Sequence, residues 1–193
     1  MTVNFLENIN TFPTQFISCD SIMEFTFDEE NGIITDNATG ERCIIFPKAR
    51  LEQIFKRLNA LFQSGAQVII TEGCKAAGKW YVNEVPEETK ADKAKFLKTA
   101  VQRFKDAGLG KIEITEYNPE AAELKFRIWN NFFAEIRNGE ATYCNCVEAY
   151  VDGIYEQLLH KTPKIKKTKC IGKNDPYCEW HMKPESGEKR KID

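Results

Sequence analysis

Three cysteines late in the chain, Cys144, Cys170 and Cys178, are the residues whose types and spacing point to chemistry. Cys170 and Cys178 flank Ile171-Gly172-Lys173-Asn174-Asp175-Pro176-Tyr177, a segment whose Gly, Asn, Asp and Pro read as a turn. Two thiolates on such a hairpin can hold two corners of a tetrahedral metal site, and an upstream cysteine can close the third. The gap exceeds the roughly two to four residues between paired ligands in common zinc modules, so spacing alone carries little. Tyr143-Cys144-Asn145-Cys146 offers a conditional fourth ligand in Cys146. In a helix Cys144 and Cys146 would point about 200° apart, and only one would face a metal. In an extended or turned segment both share a face. His181, three residues past Cys178, is a second conditional ligand. Cys19, Cys43 and Cys74 lie scattered in apolar surroundings and read as small core residues.

Other chemistries find less support. Gly73-Cys74-Lys75-Ala76-Ala77-Gly78-Lys79-Trp80 approaches a phosphate-binding loop, but Trp80 stands where a hydroxyl must ligate magnesium. Packing glycines are the better reading. The chain has 2 histidines, and neither sits in a nucleophile–base arrangement. His160 suits the end of a helix, where its partial charge complements the macrodipole. No catalytic residue is assigned, and the reading points away from an enzyme.

Composition narrows the class. A chain of 193 residues suits one domain with a core that needs no disulfide staples. Hydrophobic residues at 42% and charged residues at 29% belong to an ordinary soluble globular protein. A net charge of -2 gives no reason to expect nucleic acid as a partner. Lys161, Lys164, Lys166, Lys167, Lys169 and Lys173 crowd the thiol motif; they read as a solvated strand face, and can also offset a metal bound by several thiolates. Seven cysteines cannot all pair within one chain. The N-terminus lacks the pattern of a secretory signal, and no apolar run nears the ~20 residues of a membrane span. A cytoplasmic, reducing setting follows as the expectation, with thiols serving as ligands or core rather than disulfides.

The elements that must position these residues come in runs. Residues 1–20 form an arm without period. Strands are expected at Ile22–Phe27, Ile33–Thr35 and Cys43–Phe46, the last buried and ended by Pro47. Leu51, Ile54, Phe55, Leu58, Leu61 and Phe62 recur at helical spacing, with Gly65 as the stop. Ala66 to Val85 stays open: Val68-Ile69-Ile70 suits a strand, Ala76-Ala77-Gly78 a closely packed helix. A helix opens at Pro86-Glu87-Glu88 and ends near Gly108-Leu109-Gly110. Strands follow at Lys111–Tyr117 and Ala122–Ile128, then a helix marked by Val147 to Leu158, then two strands flanking Gly172 to Pro176. Consecutive strands separated by helices predict an α+β fold, an antiparallel sheet packed with helices. The domain spans 21–183, and 184–193 is a charged tail. Phe126, Trp129, Phe132, Phe133 and Tyr143 supply much aromatic surface in one stretch, and are the candidate lining of a pocket; ordinary core is the alternative.

At this point the chain resembles the 4-vinyl-reductase domain family, a small-molecule-binding module named for a bacteriochlorophyll biosynthesis protein and found in aromatic-sensing activators. The likeness runs from about Phe27 to Met182. It rests on Gly40-Glu41-Arg42, the small-residue segment ending at Gly78, Gly108-Leu109-Gly110, the strand Leu124 to Asn131, and above all Cys144, Cys170 and Cys178. The resemblance implies a fold similar to vesicle-tethering-complex subunits, a homodimer, and zinc held by the three cysteines beside a buried pocket. It does not carry the family's fourth ligand, a glutamate: Lys167 stands in that place, and cannot ligate while protonated. Cys146, His181 or water remain candidates for that corner. The activators continue into ATPase and DNA-binding domains and this chain ends, so activation by their route is not expected. The function expected is a stand-alone domain binding a small hydrophobic or aromatic molecule, with a structural zinc. The alternatives are an enzyme or accessory acting on a vinyl-bearing tetrapyrrole, and a pocketless interaction scaffold.

Overall fold

The computed structural model describes residues 25–37, 40–138 and 141–185. The expected arm, Cys19, the first residues of the first strand and most of the charged tail lie outside them. A hairpin of β1 (Phe25–Asp28) and β2 (Ile33–Asp36) turns at Gly32, whose φ of 63° suits a residue without a side chain. β3 pairs with β2 over only Arg42–Cys43. The buried strand expected through Phe46 is therefore corrected: Ile44 and Ile45 are 75% and 74% exposed. An apolar run alone does not say what covers it.

Pro47 opens α1 (Lys48–Phe62), consistent with its fixed φ preceding a first turn. Gly65 does not stop this helix. The chain breaks at Gln63, with a positive φ of 49°, and Gly65 already lies in the first turn of α2 (Ser64–Glu84). The open segment is thus helical through Glu84, and the phosphate-loop look-alike lies mid-helix. The helix opened by Pro86 is split at Asp92 into α3 (Glu87–Ala91) and α4 (Lys93–Asp106); the Asp92 carboxylate caps α4 by accepting from the Lys95 amide at 3.0 Å.

β4 (Lys111–Asn118) and β5 (Glu123–Trp129) follow as expected, then a single turn α5 (Phe132–Glu135) and a minimal hairpin of β6 (Arg137–Asn138) with β7 (Ala141–Thr142). α6 (Asn145–Leu159), β8 (Pro163–Lys169) and β9 (Cys178–Pro184) complete the described chain. The main sheet runs β4-β5-β9-β8, antiparallel throughout. Leu124, Phe126 and Ile128 of β5 and Cys178, Trp180 and Met182 of β9 point into the core. The opposite face is polar: Arg127 Nε donates to Glu179 Oε2 at 2.7 Å, and this bond, against burial, holds the Glu179 carboxyl below its usual range. One packed and one polar face is the habit of antiparallel sheets. This is an α+β architecture.

The closest helix contact is between α2 and α6. A Cβ at Gly78 would stand 2.1 Å from the Tyr150 carbonyl oxygen, and one at Gly153 would stand 2.1 Å from that of Lys75. Lys75 closes the crossing by reaching Asp152 at 2.8 Å and Glu156 at 2.9 Å. Among the described residues no helix is long and apolar enough to cross a membrane.

Candidate metal centre and the apolar seam

Local geometry brings the three expected thiols together. Cys144 is the N-cap residue of α6, Cys170 follows β8, and Cys178 opens β9. Between the last two, a single 3-10 turn (Ile171–Lys173) is closed by Asn174 in the left-handed region, at φ 67°. The Asp175 carboxylate accepts from the Cys170 amide at 2.8 Å and ties the loop shut. All three sulfurs lie within 4.8 Å of one another and all three residues are buried. Cys144 and Cys170 are 3.5 Å apart, sulfur to sulfur. A metal at about 2.3 Å from each sulfur needs them roughly 3.8–4.0 Å apart, so little movement is required.

The polar atoms around the cluster are mostly donors. The Ile171 amide donates to Cys178 Sγ at 3.3 Å, and Asn131, itself buried, directs Nδ2 to the same sulfur at 3.9 Å. Lys167 Nζ donates to Cys144 Sγ at 3.2 Å and to Asn145 Oδ1, lies 3.7 Å from Glu148, and sits over the Trp180 ring at 5.3 Å. Burial pulls the Lys167 ammonium down, but Cys144, Glu148 and Cys170 outweigh it and the net shift is upward. The Cys178 thiol is pushed up by its hydrogen bond with Cys144 and by burial. Metal binding there must release a proton.

The conditional ligands lie elsewhere. Cys146 falls on the helical side of the alternative: it is fully buried in a second core with Phe55, Ile70, Ile136 and Tyr143. Hydrogen bonding with Cys74, then burial, pushes its thiol up. His181 alternates with Cys178 and Trp180 along β9 and so projects from the other face, 3.8 Å from Glu123. The zinc that the family resemblance implies can thus be tested on the donor set. Three ligands fit; beside the fourth corner stand the Lys167 ammonium and Asn145 Oδ1, 3.8 Å from Cys144 Sγ, and among the described residues no fourth cysteine, histidine or carboxylate joins the cluster.

The candidate aromatic residues make separate ring contacts. Phe126 stacks on Trp180 at 5.1 Å; Trp129 packs on Tyr177 at 5.3 Å; Phe132 and Phe133 meet edge to face; Tyr143 lies against Phe55 and accepts from Asn59. Of the five, Phe126 lines an apolar void of about 30 Å³ between α4, the sheet and α6, with Leu97, Val101, Ile114, Tyr150 and Ile154. A neighbouring void of about 10 Å³ continues it through Leu97, Leu124, Val151 and Ile154 to Tyr117. The Tyr117 hydroxyl is buried and without a hydrogen-bond partner. Sequence reasoning missed this seam because its lining is largely aliphatic. The apolar stripe of α4 is the signal that could have found it, but such a stripe marks any packed helix face.

No family model matches the sequence, and no curated protein sequence matches it. Among solved structures the chain is similar to the phenol-responsive sensory domain of the transcription activator PoxR, with a TM-score of 0.67 and 19% identity over 85% of this chain and 87% of that one. Two others are a vinyl-4-reductase family protein from Methanocaldococcus jannaschii (TM-score 0.49, 15% identity, 74% and 83% covered) and a trafficking protein particle complex subunit 3 from Naegleria fowleri (TM-score 0.48, 12% identity, 75% and 100% covered). At these identities the likeness to the phenol sensor shows the fold, an antiparallel sheet packed against helices, and nothing of what is bound.

Proposed function

We propose that this protein is a cytoplasmic domain that binds a small hydrophobic or aromatic molecule in the seam between α4, the sheet and α6, with a structural metal fastening α6 to the β8–β9 end. The observation that carries the ligand reading is the seam itself: apolar walls, with Tyr117, whose hydroxyl is buried and unpartnered, among the lining residues. Ligand sites commonly combine an apolar lining with a few polar groups that fix orientation. A void of about 30 Å³ is well short of the roughly 150 Å³ that accommodates benzene, so binding must part α4 from β4. Phenol-sized compounds should therefore raise the melting temperature by linkage, by about 2.7 kcal/mol of stability at a hundredfold excess over Kd. Ala100, which also lines the void, provides the control: Ala100→Phe should fill it and abolish the shift. No shift from a diverse aromatic set would favour the pocketless scaffold, a reading that the small size of the void supports.

The metal is structural in this reading because its cysteines are buried, leaving no evident access for a substrate. Zinc is the ion the resemblance suggests, but these residues supply only three of its four corners.

The homodimer belongs to the same proposal. Leu61 and Phe62 at the end of α1, and Val68 and Ile69 near the start of α2, are each more than half exposed. A large apolar surface marks an interaction site, and a two-fold contact with a second copy covers it by self-complementarity. Sedimentation at micromolar concentration should give twice the 22.2 kDa chain mass, and Leu61→Asp with Val68→Asp should return the monomer. A wild-type monomer under the same conditions would remove this part of the proposal.

A further inference from the structure

We propose that the Cys144–Cys170–Cys178 cluster takes a three-coordinate thiophilic ion, of the kind represented by Cu(I) and arsenite, and that Lys167 is the residue that turns it away from tetrahedral zinc. The inference rests on reading the cluster as a metal centre and names the ion class that its surroundings select.

Structural zinc takes four protein ligands. Here three sulfurs converge, and among the described residues no fourth cysteine, histidine or carboxylate joins them. Lys167 Nζ stands 3.2 Å from Cys144 Sγ, and an ammonium offers three donors and no lone pair. It is held on several sides, by Asn145 Oδ1, by Glu148 at 3.7 Å and by the face of Trp180 at 5.3 Å, so it is a fixture of the site and not a passing chain end. The nearby oxygens already accept hydrogen bonds, Asn145 Oδ1 at 3.8 Å from Cys144 Sγ among them, and each keeps a further lone pair. Asn145 Oδ1 accepts from Lys167, Glu148 Oε2 accepts from Trp180 Nε1 at 2.6 Å, and Asp175 Oδ2 accepts from the Cys170 amide. The Ile171 amide and the Asn131 amide group point donors at Cys178. Such a shell suits electron-rich sulfurs and adds no fourth thiolate, imidazole or carboxylate to the cluster. All three cysteines are buried, which limits the approach of bulk water.

Thiolates favour soft ions, and Cu(I) is satisfied by three of them. Arsenite reaches the same geometry by exchange: As(OH)3 and three thiols give three As–S bonds and three waters, with no change of oxidation state. Three sulfurs at about 2.3 Å around one ion stand about 4.0 Å apart, close to the 3.5 Å of Cys144 and Cys170 and inside the 4.8 Å within which all three sulfurs lie. The Lys167 ammonium would then offset the negative charge of a Cu(I) trithiolate.

The test titrates the reduced full chain with Zn(II), with Cu(I) against a competing chelator, and with arsenite, and reads coordination by X-ray absorption. We expect one Cu(I) or one arsenic per chain with three sulfur neighbours; the arm that binds names the ion. Lys167→Glu, which replaces the ammonium by a donor, should raise zinc affinity at least about tenfold, the scale on which groups around a metal matter. Lys167→Leu, which removes the charge without adding a donor, should leave zinc as weak as in the wild type. Four-coordinate zinc in the wild type would overturn the inference while preserving the metal centre. Four-coordinate zinc in the wild type is read on that protein alone, so it overturns the inference even if Lys167→Glu fails to fold. Absence of binding by all three ions, with the three thiols still titratable, would overturn the metal centre itself.

Discussion

Gly153→Ala is expected to destabilise the fold by more than about 3 kcal/mol, measured as a shift in urea midpoint without a change in slope. The cause is steric and local. The added methyl would stand 2.1 Å from the Lys75 carbonyl oxygen, and that oxygen belongs to helix backbone, which cannot swing aside as a side-chain tip can. Relief requires α2 and α6 to part, which would pull Lys75 from Asp152 and Glu156 and open the core around Val151 and Ile154. Gly78→Ala meets the reciprocal contact with Tyr150, so the two substitutions should be strongly non-additive: one separation relieves both. Gly73 supplies the control. It lies on the same helix as Gly78, with nothing within 4 Å of the place an added methyl would take, and Gly73→Ala should be neutral or stabilising by up to about 1 kcal/mol. Equal losses at Gly73 and Gly153 would mean that the close crossing does not set the effect, since propensity alone favours alanine at both helical positions.

That crossing also shows where the sequence is hard to read. Ala66, Ile70, Gly78 and Val82 are the buried residues of α2, and Cys74 completes a repeat of four. A hydrophobicity pattern scores small residues weakly, so the β-branched Val68-Ile69-Ile70 dominates it, although Val68 and Ile69 are exposed. β5 is legible because Leu124, Phe126 and Ile128 alternate with Lys125 and Arg127, and α4 because Phe96, Leu97, Ala100 and Phe104 share a face. Ile44 to Phe46 mislead for the opposite reason: an apolar run suggests burial, yet nothing in the described chain covers these residues. At the site, the turn between Cys170 and Cys178 makes that pair legible, whereas Cys144 is singled out over Cys146 by the family resemblance and by helix geometry. What composition does not give is the role of Lys167. Lys164 and Lys166 are exposed as a solvated face should be, whereas Lys167 turns inward to Cys144. Only the register of β8 on β9 distinguishes them.

Cys178→Ser is the substitution expected to cost the metal centre most. Cys178 is fully buried, receives the Ile171 amide at 3.3 Å, and faces both other sulfurs. Serine keeps the volume approximately but offers a hard, poorly acidic oxygen in place of a soft thiolate, so metal per chain should fall from about one to none. Because ligands from α6 and from the β8–β9 end converge on the ion, affinity there is folding energy, and the loaded wild type should melt well above the variant. Without metal the two should differ far less, by about 1–3 kcal/mol, the cost of a buried hydroxyl without a full complement of partners. This difference between loaded and stripped protein is the informative quantity. Cys146→Ser, in the separate core beside Phe55 and Tyr143, should destabilise both forms alike and leave the metal in place. If Cys146→Ser also released the metal, the ligand set would extend across α6, and the assignment of its first turn to a single cysteine would have to be abandoned.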